Sequence, residues 1–182
     1  MAQSQRSREA IQKKQLTLRD RLWPNLDTDR LWDRKRKVGF TTIPRVMPIL
    51  LRIMDSVTNG KPVSAAYLDL WCRAHDECFV TLANPTQMAF HAGFTGQRAV
   101  TTWKARIRSL AALGFIDVQP GPSGDLSYAL LWNPYLVLKR LYREKTPGFT
   151  KDLYHALQER TIEIGAHDLD EPDGESESTS TS

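Results

Sequence analysis

The chain has 182 residues, of which 41% are hydrophobic and 25% charged, and this predicts one ordinary globular domain with appended segments. It contains no apolar run of the roughly 18 to 20 residues that a membrane span requires and no signal-peptide pattern at its start, so we expect a cytoplasmic protein with no membrane partner. Two cysteines close together, Cys72 and Cys78, exclude a disulfide scaffold.

The net charge of +4 conceals a strong polarity along the chain. Residues 1–52 carry a net charge of +8, residues 53–150 carry +3 and residues 151–182 carry −7. A basic front half favours a polyanionic partner. The acidic end is expected to stay away from that partner or to compete with it for the basic surface.

The first 38 residues predict a basic helix followed by an arm. Apolar side chains recur at helical spacing between residues 4 and 22, and Pro24 ends this pattern. The polar stretch that follows closes with four consecutive cations, Arg34, Lys35, Arg36 and Lys37. We interpret the cluster as a contact for phosphate groups, with a solvated linker or a nuclear-localisation signal as the alternatives.

A compact domain is predicted at residues 39–145. Thr41 or Thr42 is the expected cap of its first helix, and Ser64 is the expected cap of the second. Residues 79–82 are β-prone and predict either a short strand or an apolar connection.

A helix-turn-helix pattern comes next. Asn84 as cap and Pro85 as first residue predict a short helix that stops at Gly93. Thr95 is expected to cap a longer helix that runs from residue 96 to about residue 113, and Gly114 ends it.

The longer helix has two distinct sides at about 100° per residue. One side is apolar and is the predicted buried face, formed by Val100, Trp103, Ile107 and Leu110. The opposite side carries Arg98, Thr101, Thr102 and Ala105, and it is flanked by Lys104, Arg106 and Arg108.

The segment after this helix predicts a β-hairpin, because two β-prone runs flank a loop rich in proline and glycine. The order of elements resembles the winged-helix DNA-binding superfamily: a short helix, a turn containing glycine, a longer helix and a hairpin. The segment from Arg106 to Ile116 is similar to the junction between recognition helix and wing in that superfamily. The resemblance as a whole covers residues 40–145. It implies a mainly α fold with a small β-hairpin wing, a winged helix-turn-helix.

The resemblance implies double-stranded DNA as the partner, and the residue types suit that role. Arg98 can bind guanine through two hydrogen bonds, and Ala105 lets the backbone approach base edges. The predicted DNA-binding residues are Thr95, Gln97, Arg98, Thr101, Thr102, Lys104, Ala105, Arg106 and Arg108, together with Arg34, Lys35, Arg36 and Lys37. The loop at residues 119–125 has no cation and one acid, which departs from the family and argues against a wing contact with DNA.

Residues 38–45 and 133–135 resemble small plasmid or mobile-element proteins. We therefore expect a non-enzymatic regulator of transcription, or an accessory of plasmid-type replication or partition, in a bacterial-type cytoplasm and associated with the nucleoid. The alternative is a winged-helix module that binds an acidic protein partner. A nuclease is disfavoured because P-loop, nucleophile-elbow and zinc-protease motifs are absent.

Cys72, His75, Cys78 and His91 have the residue types of a zinc site. Three of them fall within one predicted helix, whereas structural zinc sites bring ligand pairs from separate elements, so we expect no metal and no other cofactor. Cys72 is expected to be buried and His75 exposed. The five tryptophans are interpreted as packing anchors, with exposed platforms for single strands as the alternative.

The C-terminal part predicts two further helices and a tail. Pro134 begins a helix that ends near Arg143. A last helix, from about Lys151 to Glu163, is predicted within the C-terminal segment of residues 146–164. The last helix either docks on the domain, which we prefer, or pairs in a homodimer. Residues 165–182 hold six acids and no lysine or arginine, which predicts a disordered acidic tail. This tail is expected to compete with DNA for the basic surface or to bind a protein partner, and the alternative is a solubilising end that contacts nothing.

Overall fold

A computed structural model describes residues 2–36 and 38–170, with the backbone alone for residues 2–9 and 12. The chain divides into two units, residues 1–40 and residues 41–182. The first unit consists of a helix, α1 (Ala2–Leu22), and a short 3₁₀ turn at Thr28–Arg30. The predicted end of the basic helix near Leu22 is confirmed.

The second unit is helical with one small antiparallel sheet. Its elements in chain order are α2 (Met47–Ser56), α3 (Ser64–Arg73), β1 (Phe79–Thr81), α4 (Pro85–His91), α5 (Ala99–Leu113), β2 (Ile116–Gly121), β3 (Gly124–Leu131), α6 (Pro134–Arg143) and α7 (Lys151–Glu163). Of the two alternatives for residues 79–82, the strand is correct. The helices with a β-hairpin are as predicted.

The hairpin and the short strand form one sheet with the strand order β1-β3-β2. Val80 and Val118 both pair with Ala129 of the central strand. A bulge in β2 between Gln119 and Gly121 falls at a proline, which has no N–H to donate to the neighbouring strand. One face of the sheet contributes to the core through Val80, Ala129 and Leu131.

The core joins all the helices of the second unit. Trp103, Tyr67 and Phe115 are its largest fully buried side chains. Burial raises the pKa of the Tyr67 hydroxyl above its ordinary range, and the neighbouring Cys78 adds to this effect. Burial, and secondarily the carboxylate of Asp168, raises the pKa of Tyr135 to about 12.

Two predicted helix caps are wrong, and at α3 a tertiary contact replaces the predicted cap. Neither Thr41 nor Thr42 caps α2, since the helix begins only at Met47, where the side chains become buried. Ser64 is the first residue of α3 and not its cap. Its backbone N–H instead donates to Asp55 Oδ1 at 2.8 Å, and the Val63 N–H donates to the same oxygen at 2.7 Å.

The C-terminal helices pack onto this core. The predicted bounds of α6 and α7 are confirmed. α7 packs against α2 and buries Leu157, so it docks on its own domain. Packing also extends past the predicted start of the tail, because Leu169 lies against the core. Residues 171–182 of the predicted tail lie outside the described part of the chain.

Candidate nucleic-acid interface

Helix α4 and helix α5 form a contacting pair joined by a turn of two left-handed glycines. Asn84 caps α4 by accepting a hydrogen bond from the Gln87 N–H at 3.1 Å, as predicted. Gly93 (φ +81°) ends that helix, and Gly96 (φ +80°) turns the chain towards α5. These φ values are unfavourable for residues with a Cβ, which explains glycine at both positions.

The predicted start of α5 is wrong by three residues. The helix begins at Ala99, and Thr95 does not cap it. The left-handed conformation of Gly96 cannot continue a right-handed helix, so the chain makes one further turn in which the Ala99 N–H donates to the Gly96 carbonyl at 3.1 Å. Gln97 lies exposed in this turn, and Thr95 lies exposed just before it.

An apolar and a polar side of α5 are present, as predicted, but two members differ: Thr102, predicted on the polar side, is half-buried, and Val100, predicted on the buried face, is only partly buried. Trp103, Ile107 and Leu110 are fully buried. The opposite side is an exposed stripe of residues spaced three or four apart, formed by Arg98, Thr101, Ala105, Arg108 and Ala112. Ala112 is not among the predicted contact residues, although the same 100° periodicity places it on this side.

Three predicted contact residues flank the stripe and are half-buried. Thr102, Lys104 and Arg106 are each partly covered by the domain. The Nε atom of Arg106 is buried and has no hydrogen-bond partner among the described residues. This side chain is therefore less available to an external ligand than Arg98 and Arg108, which are exposed.

The hairpin of β2 and β3 is short and is held by its own hydrogen bonds. The buried hydroxyl of Ser127 donates to the Gly124 carbonyl at 2.8 Å and accepts from the Ser123 N–H at 2.9 Å. A Cβ at Gly121 would lie 2.6 Å from the Tyr128 ring, so glycine is needed for the close approach of the two strands. The only charge in the loop, on Asp125, is negative, which disfavours a contact with phosphate.

The cations at residues 34–36 of the first unit differ in their ion pairs. Arg34 and Lys35 are exposed, whereas the Arg36 guanidinium pairs with Asp29 at 2.7 Å and with Asp33 at 3.6 Å. Lys37 lies outside the described residues. All of these described groups are exposed, so their ion pairs contribute little stability and can exchange with phosphates.

The structure corrects several other expectations. Cys72 is exposed, not buried, and Cys78 is exposed too. Trp103 is a packing anchor, but Trp23, Trp32 and Trp132 are exposed, so the packing interpretation is wrong for these three. His75 is exposed, as predicted.

The described part of the chain holds no group of three or more His, Cys, Asp or Glu side chains arranged to bind a metal ion. None of the helices described is both long and apolar enough to cross a membrane. Comparison of the chain with family models, curated proteins and solved structures gives no match.

Proposed function

We propose that the chain is a sequence-specific double-stranded DNA-binding protein with a winged helix-turn-helix domain, acting in transcriptional regulation or in plasmid-type replication or partition. The exposed stripe of α5 is the observation that carries this proposal. It combines two guanidinium groups, a hydroxyl and small side chains on one face of a helix whose other face is anchored in the core.

These residue types match the chemistry of base edges in the major groove. An arginine fork can donate two hydrogen bonds to guanine, and threonine and alanine can contact a thymine methyl group. Small side chains at Ala105 and Ala112 let the helix approach the bases closely. Lys104 lies beside the stripe, where a flexible ammonium group can meet a phosphate.

The first unit supplies a second, sequence-independent attraction. Its exposed cations include Lys13, Lys14, Arg34 and Lys35. Phosphate contacts of this kind raise affinity for any duplex and do not discriminate between sequences.

Selection from a random duplex library tests the proposal. The unaltered chain should enrich a defined sequence. Arg98→Ala should cost about 1 to 3 kcal/mol of binding free energy and relax the preference at one position of that sequence. Lys104→Ala should weaken binding to all sequences alike, because a phosphate contact carries no sequence information.

Arg52→Ala is the matched control, because Arg52 is an exposed arginine on α2, a different helix from the one that carries the stripe. It should leave the selected sequence and its affinity unchanged. Failure of the unaltered chain to enrich any sequence would refute the proposal. Binding to polyglutamate in place of duplex would then favour the interaction module with an acidic partner.

A further inference from the structure

An arginine of α6 is hydrogen-bonded to the last turn of α5. The Arg140 Nη2 atom donates to the Leu113 carbonyl at 2.6 Å. Leu113 is the final residue of α5, where backbone carbonyls have no partner within the helix. A guanidinium at this end satisfies one such carbonyl and also interacts favourably with the negative end of the helix dipole.

Gly114 makes room for this contact. Its φ of +81° ends the helix, and a Cβ at this position would lie 2.7 Å from Arg140 Nη2. Only glycine therefore combines the left-handed conformation with space for the guanidinium. Glu144, the residue that directly follows α6, pairs with the other side of the guanidinium, with 3.4 Å between Glu144 Oε2 and Arg140 Nη1.

The stripe lies on the helix that this contact fixes. Ala112, the last residue of the stripe, directly precedes Leu113. The other end of α5 begins without a side-chain cap, after a turn that contains Gly96. Arg140 therefore holds the C-terminal end of α5. At this end the chain continues through the buried Phe115 into β2 of the sheet.

We propose that Arg140 is a positioning residue for DNA recognition, which sets the orientation of α5 through the Leu113 carbonyl without contacting DNA. This proposal rests on the proposed function. Hydrogen bonds to base edges require donors placed within about 0.5 Å of the productive geometry, whereas attraction to phosphates tolerates a displaced helix. Loss of Arg140 should therefore reduce sequence discrimination and leave binding to random duplex nearly unchanged.

The test compares full-length Arg140→Met with the unaltered chain on two duplexes of equal length, the selected sequence and a random one. Affinity for the selected duplex should fall about tenfold, the scale expected for residues that act on a site without touching its ligand. Affinity for the random duplex and the slope of log affinity against log salt should stay the same. Arg140→Lys, which keeps a donor for the carbonyl, should restore part of the discrimination.

Two further variants separate geometry from charge. Gly114→Ala displaces the guanidinium but retains its charge, so it should lose discrimination as Arg140→Met does, and the double variant should lose little more than either single one. Arg52→Met removes one exposed positive charge elsewhere and should change neither quantity. Circular dichroism and thermal unfolding confirm that each variant is folded, and amide exchange at residues 110–115 should accelerate in Arg140→Met.

A shallower salt slope in Arg140→Met, by about 0.9, with equal losses on both duplexes would show that Arg140 contacts phosphate, and would overturn the proposal. Unchanged discrimination in a folded Arg140→Met protein would overturn it as well while leaving the proposed function intact. If the unaltered chain selects no sequence, the proposed function fails, and the role of Arg140 fails with it.

Discussion

At the scale of single residues, close backbone packing determines which glycines are irreplaceable. Gly148 has a φ of +88°, and a Cβ there would collide with the backbone carbonyl of Ser56 at the end of α2. Gly60 has a similar φ of +74° but has no atom within 4 Å of a Cβ position. The two glycines therefore share a conformational requirement and differ in their surroundings.

Gly148→Ala should lower the free energy of unfolding by about 2 to 4 kcal/mol, because a conformational cost and a backbone collision add. Gly60→Ala, the matched control, should cost only about 1 kcal/mol, since only the left-handed conformation is penalised. Urea unfolding followed by tryptophan fluorescence measures both. Equal losses in the two variants would mean that the turn at Gly148 shifts to accept a side chain.

At the scale of elements, one carboxylate of α2 organises the start of α3. Asp55 Oδ1 accepts hydrogen bonds from the backbone N–H groups of Val63 and Ser64. Nothing within α3 replaces this acceptor, because the helix has no side-chain cap of its own. These two hydrogen bonds hold the end of the loop between α2 and α3 against α2.

Asp55→Ala should lower the free energy of unfolding by about 1 to 3 kcal/mol, because two partly buried donors lose their partner. Asp55→Asn retains an acceptor oxygen in the same place and should recover a large part of this loss. Thermal unfolding of the three proteins gives the comparison. An alanine variant as stable as the unaltered chain would show that water replaces the carboxylate at no cost.

At the scale of the whole molecule, the division into two units allows the proposed affinity for DNA and the proposed discrimination between DNA sequences to be tested separately. Residues 1–40 form their own unit, so deletion of residues 1–37 leaves the elements of the second unit complete. The exposed cations of the first unit are candidates for phosphate contacts, and the stripe of α5 is the candidate for base contacts.

Deletion of residues 1–37 should weaken binding to every duplex and reduce the slope of log affinity against log salt by about 0.9 for each lost phosphate contact, while the selected sequence stays the same. Fluorescence anisotropy at a series of salt concentrations measures the slope. A full-length variant with Lys13, Lys14, Arg34 and Lys35 changed to glutamine is the control, because it loses charge but no chain. An unaltered slope in both proteins would mean that the basic segment does not contact DNA and that its charge serves some other partner.

Local signals in the sequence were sufficient for most elements and for the apolar and polar sides of α5. The cap at Asn84, the end of α5 at Gly114 and the two sides of α5 were all predicted correctly. Each depends on residues that are neighbours along the chain, through hydrogen bonds to the nearest N–H groups or through helical periodicity. The hairpin was predicted for the same reason.

Only the tertiary structure decided the features that join distant segments. These are the start of α2, the capping of α3 by Asp55, the exposure of Cys72 and of three tryptophans, and the hydrogen bond from Arg140 to the Leu113 carbonyl, 27 residues away. Composition and periodicity describe a residue's own helix or strand, whereas burial and long-range hydrogen bonds depend on what packs against it. The sequence therefore determined which face of α5 is polar, and tertiary packing decided what holds that face in place.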